Sequence, residues 1–189
     1  MSVALVLGML LFVLPHWFSS LAPAVRDRFK ARYGERAFKG VYALVSWLGL
    51  AIIIYVYWQT RGNGEVLYVP AEGMRHATMG LATLGMIVLA SSHGKSHIRL
   101  WLQNPMSVGV ALWSVGHLLS VGKPAVVAFY AALLLVAVVD IAASMARGKR
   151  PDFEPTWRSD IIGVIAGLVV TALLVLLFHP YVLGVTVAR

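Results

Sequence analysis

The chain has 189 residues, of which 59% are hydrophobic and only 13% are charged. Soluble domains carry about a quarter charged residues, so this composition excludes an ordinary soluble protein and predicts an integral membrane protein. The net charge of +8 does not indicate a nucleic-acid partner, because the basic residues lie in short loops between apolar runs, as the topology signals of membrane proteins do.

Six apolar runs account for most of the chain, each close to the roughly 20 residues that a helix needs to cross a bilayer. They occupy residues 2–21, 38–59, 74–91, 105–121, 124–146 and 160–184. The predicted fold class is all-α, a polytopic membrane helical bundle with about six transmembrane helices. Little chain remains for a soluble part, so we expect a single domain, residues 1–189, with the lipid bilayer as its partner.

The loops between these runs alternate in positive charge. Taken alternately, the connections and the tail hold twelve lysines and arginines on one side and four on the other. Because the richer side faces the cytoplasm in membrane proteins, both termini are predicted to lie on the opposite, periplasmic side.

The sixth run carries two local packing signals. Gly163 and Gly167 form a GxxxG step, which lets another helix approach closely. A contact inside the chain is favoured, and a homodimer contact is the open alternative. At the start of the same run, Ser159 or Asp160 is predicted to cap the helix.

Two histidines lie deep in the predicted spans. The chain has no cysteine, so thiolate ligands and iron–sulfur clusters are excluded and histidine and methionine remain as metal ligands. At 1.5 Å per residue, His117 lies about 18 Å and His16 about 9 Å from the same membrane face. Side chains lean toward the N-terminus of their helix, so these two imidazoles lean toward each other from antiparallel spans. A haem gripped by both histidines and two separate core histidines are both open on this basis.

The remaining polar groups of the spans and loops have roles that the sequence leaves open. His76 and His179 lie near the outer ends of their spans, where water at the membrane surface can hydrate the polar edge of the imidazole ring. His93 and His97 have metal-binding i, i+4 spacing, but a solvated basic loop is the favoured interpretation. Asp140 is the one carboxylate deep in a span and is interpreted as a structural anchor, able to pair with a histidine or with Ser144 one turn on. A haem partner is the alternative.

Two stretches carry a resemblance to a known family. The stretch "RYGERAFKGVYALVS" and the stretch "PMSVGVALWSVGHLLSVG" resemble the NnrU family of bacterial membrane proteins, and the resemblance extends over nearly the whole chain. That family is associated with denitrification and is related to the plant 15-cis-ζ-carotene isomerase, a membrane haem b protein with histidine ligands. The family often has His-Pro where this chain has Asn104-Pro105, and here Asn104 is predicted to cap the fourth span.

The resemblance implies a cofactor, partners and site residues. His117 matches the histidine of the isomerase motif and His16 its first-span histidine, so both are predicted as ligands of haem b. Arg99 or Arg75 is expected to pair with the haem propionates, because guanidinium groups match carboxylates in geometry, with Arg99 slightly favoured. The implied location is the bacterial inner membrane, and the implied partners are components of nitrite or nitric oxide reductases.

Other functions remain as alternatives. A haem-dependent cis–trans isomerase of a polyene such as ζ-carotene follows from the relationship to the plant enzyme, and fold analogy is a weak basis for it. A cofactor-free membrane transporter or partner protein is the third interpretation. Whether the protein is an enzyme is therefore left open at this point.

Overall fold

The computed structural model describes residues 2–148 and 150–187, which are helical with short connections and contain no β-strand. Eight α-helices follow one another, and the last continues as a π-helical segment, Leu174–Leu183. The α-helices are α1 Val3–Leu21, α2 Pro23–Tyr33, α3 Glu35–Thr60, α4 Met74–Ala90, α5 His97–Leu102, α6 Pro105–Ser120, α7 Pro124–Ala146 and α8 Trp157–Leu173. A single 3₁₀ turn, Ser91–His93, follows α4.

All six predicted spans form helices, and four of them are long and apolar enough to cross a membrane. These four are α1, α3, α7 and the continuous helix Trp157–Leu183. The other two, α4 and α6, have 17 and 16 residues, which corresponds to about 25 Å at 1.5 Å per residue and falls short of a hydrocarbon core of about 30 Å. The membrane-protein class is therefore supported, and the count of six spans stays a prediction.

The sequence predicted one domain, and the helices group into two compact units that are described separately. The first unit comprises residues 1–69 and 121–146, and the second comprises residues 70–120 and 147–189. The first therefore contains α1, α2, α3 and α7, and the second contains α4, α5, α6 and α8.

In the first unit, α1 and α3 approach each other at a pair of glycines. A β-carbon on Gly49 would lie 2.7 Å from the backbone oxygen of Gly8, which is closer than side chains allow. Near this crossing, an apolar cluster that includes Leu5, Ile53 and Ala125 joins α1, α3 and the start of α7. Small residues thus let the backbones meet while dispersion contacts hold the three helices together.

In the second unit, α4 packs against both α6 and α8 through glycines. Gly85 and Gly109 face each other, and a β-carbon on Gly109 would lie 2.6 Å from the backbone oxygen of Gly85. On the other side, Gly163 rests on Ser91 and Gly167 on the backbone of Ile87. The predicted internal contact of the GxxxG step is thereby confirmed, and because rising numbers on α8 meet falling numbers on α4, the two helices are antiparallel.

The helix caps agree with the sequence at one site and differ at another. Asn104 caps α6 as predicted, since its Oδ1 accepts a hydrogen bond from the backbone N–H of Ser107 at 3.4 Å. At α8 the cap is Thr156, whose side chain accepts from the backbone N–H of Ser159. The prediction of Ser159 or Asp160 was wrong, because Thr156 occupies the capping position and the carboxylate of Asp160 binds another helix.

Candidate functional site

The two histidines predicted as haem ligands lie in different units. His16 belongs to α1 in the first unit, and His117 belongs to α6 in the second. Each is described within its own unit, and the pairing of His16 with His117 therefore stays a prediction.

His117 is buried in α6, with 9% of its surface exposed. Its Nδ1 lies 2.8 Å from the backbone oxygen of Trp113, one turn earlier on the same helix. A carbonyl oxygen only accepts hydrogen bonds, so Nδ1 carries the proton and donates it. The other ring nitrogen, Nε2, then holds a lone pair, which is the form in which histidine binds a metal.

The structure brings His179 next to His117, which the sequence analysis did not foresee. The two ring centres are 6.3 Å apart and the ring planes differ by only 14°. The Nδ1 of His179 donates to the backbone oxygen of Leu174 at 2.7 Å, so its Nε2 also holds a lone pair. The acceptor is five residues back, because His179 lies in the π-helical segment, and such segments are often found at functional sites.

The spacing of this histidine pair fits two ligands of one metal ion. Two imidazoles that bind a metal from opposite sides, each through one nitrogen at about 2.0–2.1 Å, have ring centres roughly 6–6.5 Å apart. A haem iron takes one or two axial ligands from the protein, since the porphyrin supplies the other four nitrogens. The donor set of His117 and His179 therefore suits haem. Within the described part of the chain, no group of three or more histidine, aspartate or glutamate side chains is arranged to hold a metal.

A buried hydroxyl lies close to His117 along α6. Ser114 is fully buried, and its Oγ has no hydrogen-bond partner among the residues that the structure describes. Buried polar groups in native proteins nearly always have a partner. A hydroxyl in this state, one turn before a candidate ligand, is able to donate to a molecule bound there.

Two arginines were predicted to pair with haem propionates. Both belong to the second unit, and Arg75 lies at the same end of it as His117 and His179. It starts α4, and its Nη2 donates to the backbone oxygen of Val187, just beyond the π-helical segment of His179. Arg99 lies on α5, where its Nη1 donates to the oxygen of Gly94 at 3.1 Å. Gly94 follows the C-terminal end of α4, whereas Arg75 is at its N-terminal end. Because α4 and α8 are antiparallel, Arg99 and Gly94 lie at the opposite end of the unit from the histidine pair. The geometry of the second unit thus favours Arg75 over Arg99.

His16 has the same ring arrangement within the first unit. Its Nδ1 donates to the backbone oxygen of Phe12 at 2.6 Å, and its ring packs 5.1 Å from that of Tyr42. Two other buried polar atoms of this unit lack a partner in the described residues, Nε1 of Trp17 and Oγ of Ser46. The bond to Phe12 leaves Nε2 of His16 as the nitrogen that could bind a metal, and its role as a haem ligand stays a prediction.

Asp140 bonds to a side chain that the sequence did not indicate. The Oγ of Ser20 on α1 donates to Oδ1 of Asp140 on α7 at 2.6 Å. A serine was among the predicted partners of this carboxylate, although the expected one was on its own helix. The interpretation of Asp140 as a structural anchor fits this bond, because it links two helices of the first unit.

His97 is not part of a solvated loop. Its Nδ1 lies 2.6 Å from Oδ2 of Asp160, and its ring stacks on Trp157 at 4.3 Å. The same carboxylate accepts the backbone N–H groups of His97 and Ile98, at 3.2 and 3.3 Å. Asp160 on α8 therefore accepts the first two N–H groups of α5, beside its N-cap Ser96. His93 lies in the preceding 3₁₀ turn, so the two histidines do not share a helix as metal-binding i, i+4 spacing requires.

Comparison with known proteins gives one match. The sequence pattern of a protein family described as NnrU protein matches residues 4–187, nearly the whole chain. No curated protein and no solved structure matches the sequence. Because the family match covers far more than half of the chain, the protein belongs to the NnrU family.

Proposed function

We propose that this member of the NnrU family is a haem b-binding protein of the bacterial inner membrane that serves the metabolism of nitrite and nitric oxide. The observation that carries the proposal is the pair His117 and His179. Both rings have their Nδ1 proton bound to a helix carbonyl, and their centres are 6.3 Å apart. The association with nitrogen oxides comes from the family alone.

The residues of the second unit have distinct roles in this proposal. His117 and His179 would hold the iron through Nε2, and the carbonyl oxygens of Trp113 and Leu174 fix the tautomer and the ring orientation. Arg75, at the start of α4, would offer its guanidinium to the propionates. A bound haem supplies one-electron redox chemistry and affinity for small ligands such as nitric oxide. His16, the second ligand predicted from the sequence, remains a candidate.

The proposed arrangement in the membrane has six spans. It counts the shorter helices α4 and α6 together with the four longer ones, so that the loops rich in lysine and arginine all face the cytoplasm and both termini face the periplasm. Hydrophobic stretches shorter than the bilayer are accommodated by local thinning at a modest cost. Components of nitrite or nitric oxide reductases are the proposed partners.

The optical spectrum of the purified protein tests the haem proposal. After expression with sufficient haem precursor, we expect a Soret band and sharp α and β bands on reduction. His117→Ala and His179→Ala are each expected to lower the haem content at least tenfold or to convert a six-coordinate spectrum to a five-coordinate one. His76→Ala, at an exposed position, serves as the control. His16→Ala tests the alternative second ligand in the same assay.

Each result has a definite consequence. A colourless wild-type protein contradicts haem binding and favours the cofactor-free interpretation. Haem that persists unchanged in His179→Ala but is lost in His16→Ala restores the pair predicted from the sequence. If neither His117→Ala nor His179→Ala affects the spectrum, the rings of these two histidines only pack against each other.

The physiological role has a separate test. Deletion of the gene in a denitrifying host is expected to cause nitrite or nitric oxide to accumulate, and the wild-type gene should reverse the effect where the His117→Ala gene does not. Normal consumption of both compounds in the deletion strain would contradict the role in nitrogen-oxide metabolism while leaving haem binding intact.

A further inference from the structure

An apolar groove opens between α1, α2 and α3 of the first unit. Its volume is about 310 Å³, at the small end of the range for ligand pockets. Its lining includes Leu14 and Phe18 from α1, Phe29 from α2, and Phe38, Val41 and Val45 from α3. Because almost all of this lining is hydrocarbon, the part of any occupant that lies inside must be hydrocarbon too.

Positive charge borders the same groove. The Nζ of Lys30 lies 5.2 Å from the centre of the Phe38 ring, which forms part of the wall. Residues 22–39 hold six basic and two acidic side chains. The acids Asp27 and Glu35 form ion pairs with Arg26 and Lys39. Glu35 also interacts electrostatically with Lys30, but Lys30 forms no ion pair within the described residues, and the segment keeps an excess of positive charge. The border of the groove is therefore a site for an anion.

The position of the groove along the helices explains why an apolar wall and a positively charged border occur together. It lies where the apolar helix α1 ends at Leu21 and where α3 begins at Glu35, and both helices are long enough to span a membrane. The side chains at this level are within reach of the headgroup region, whereas those further along the two helices are in contact with hydrocarbon. Clusters of lysine and arginine at such a level attract anionic lipids.

We propose that the groove binds one anionic glycerophospholipid, with an acyl chain against Phe29, Phe38 and Val41 and the headgroup phosphate at Lys30. A phosphate joined to a hydrocarbon chain matches both the charge at the border and the apolar wall. Neither a free phosphate nor a neutral lipid matches both. The groove belongs to α1, α2 and α3 and does not include the pair His117 and His179, so lipid retention can be measured separately from haem content.

Native mass spectrometry of the full chain in detergent tests the proposal, with phosphatidylglycerol and phosphatidylcholine of the same acyl chains as probes. We expect the protein to retain phosphatidylglycerol several-fold better. Lys30→Glu should lower that retention at least fivefold. Val41→Trp, at a position that is 55% exposed, fills the groove and should lower retention of both lipids. Lys95→Glu, the same charge change in the other unit, should have no effect.

Several outcomes would overturn the proposal. Equal retention of the two lipids by the wild-type protein means that charge plays no part. An equal loss in Lys95→Glu means that the attraction is only diffuse. Unchanged retention in Val41→Trp places the lipid elsewhere. Circular dichroism shows whether each variant is folded, and Val41→Phe replaces Val41→Trp if the larger side chain prevents folding.

Discussion

Replacement of Asp160 by alanine should destabilise the second unit markedly. The carboxylate accepts three hydrogen bonds, from the ring and backbone of His97 and from the backbone of Ile98. Bonds to a charged group contribute about 1.5–3 kcal/mol each, whereas the N-cap of α5, Ser96, is left in place. Since these contributions are not additive and two of the bonds are long, we estimate a loss of about 3 kcal/mol.

The measurement is thermal unfolding of the detergent-solubilised protein. For a chain of this size, 1 kcal/mol corresponds to about 2–4 °C in Tm, so Asp160→Ala should lower Tm by about 9 °C. Asp160→Asn keeps one acceptor oxygen for the backbone N–H groups and should lose about half as much. Asp152→Ala, at an exposed position of the preceding loop, is the control. If Asp160→Ala melts at the same temperature as this control, the carboxylate does not hold α5 to α8.

Three further predictions concern packing and topology. Gly109→Ala should destabilise the protein by about 1–3 kcal/mol, because the new methyl group would overlap the α4 backbone. In the control Gly80→Ala the methyl group meets no atom within 4 Å, so this change should be neutral or slightly stabilising. Thermal unfolding compares the two variants, and equal effects would contradict the close α4–α6 contact. Ser20→Ala removes the 2.6 Å bond to Asp140 and should lower stability by about 1.5 kcal/mol in the same assay; an unchanged Tm would contradict the bond. Because the chain has no native cysteine, the single cysteine of Lys95→Cys can be labelled specifically. The six-span arrangement puts it in the cytoplasm, so an impermeant maleimide should react only after the membrane is permeabilised, and reaction in intact cells would contradict that arrangement.

The positions of the six long helices could be predicted from the sequence because each one coincides with an apolar run. All six predicted runs agree with the observed helix ends within three residues, the sixth with the continuous helix Trp157–Leu183, and α7 has identical limits, 124–146. The short helices α2 and α5 were not predicted. The first is rich in arginine and lysine and shows almost no apolar periodicity, and the second has only six residues. Neither produces the pattern on which the prediction of membrane helices depends.

The candidate site was only partly predictable, because its members meet through packing between helices. His117 was identified by its depth in an apolar run, which is a local property. Its contact with His179 joins residues 62 positions apart in the sequence and depends on a change of helical pitch, and adjacent residues indicate neither. Asp160 shows the same limit. Its place near a helix start suggested a cap, but the sequence did not show that Thr156 would cap α8 and free the carboxylate for α5.

Pro180 explains why the helix changes pitch at His179. Proline has no backbone N–H, and its ring clashes with the carbonyl of the residue four positions earlier in an α-helix. The π-helical segment widens the turn, and His179 bonds five residues back to Leu174. Each residue of a π-helix advances by a smaller angle than in an α-helix. Over the six residues from Leu174 to His179 the accumulated difference is roughly a quarter of a turn, enough to decide whether the ring faces His117.

Pro180→Ala should therefore weaken the histidine pair without removing either histidine. Alanine restores the N–H and lets the segment take α-helical pitch, which turns His179 away from His117. With haem bound as proposed, the spectrum should shift from six-coordinate toward five-coordinate iron, while circular dichroism remains helical. Tyr181→Ala, at a neighbouring position that is 80% exposed, should leave the spectrum unchanged. A six-coordinate spectrum in Pro180→Ala that still depends on His179 would show that the pitch of this segment does not orient the ligand.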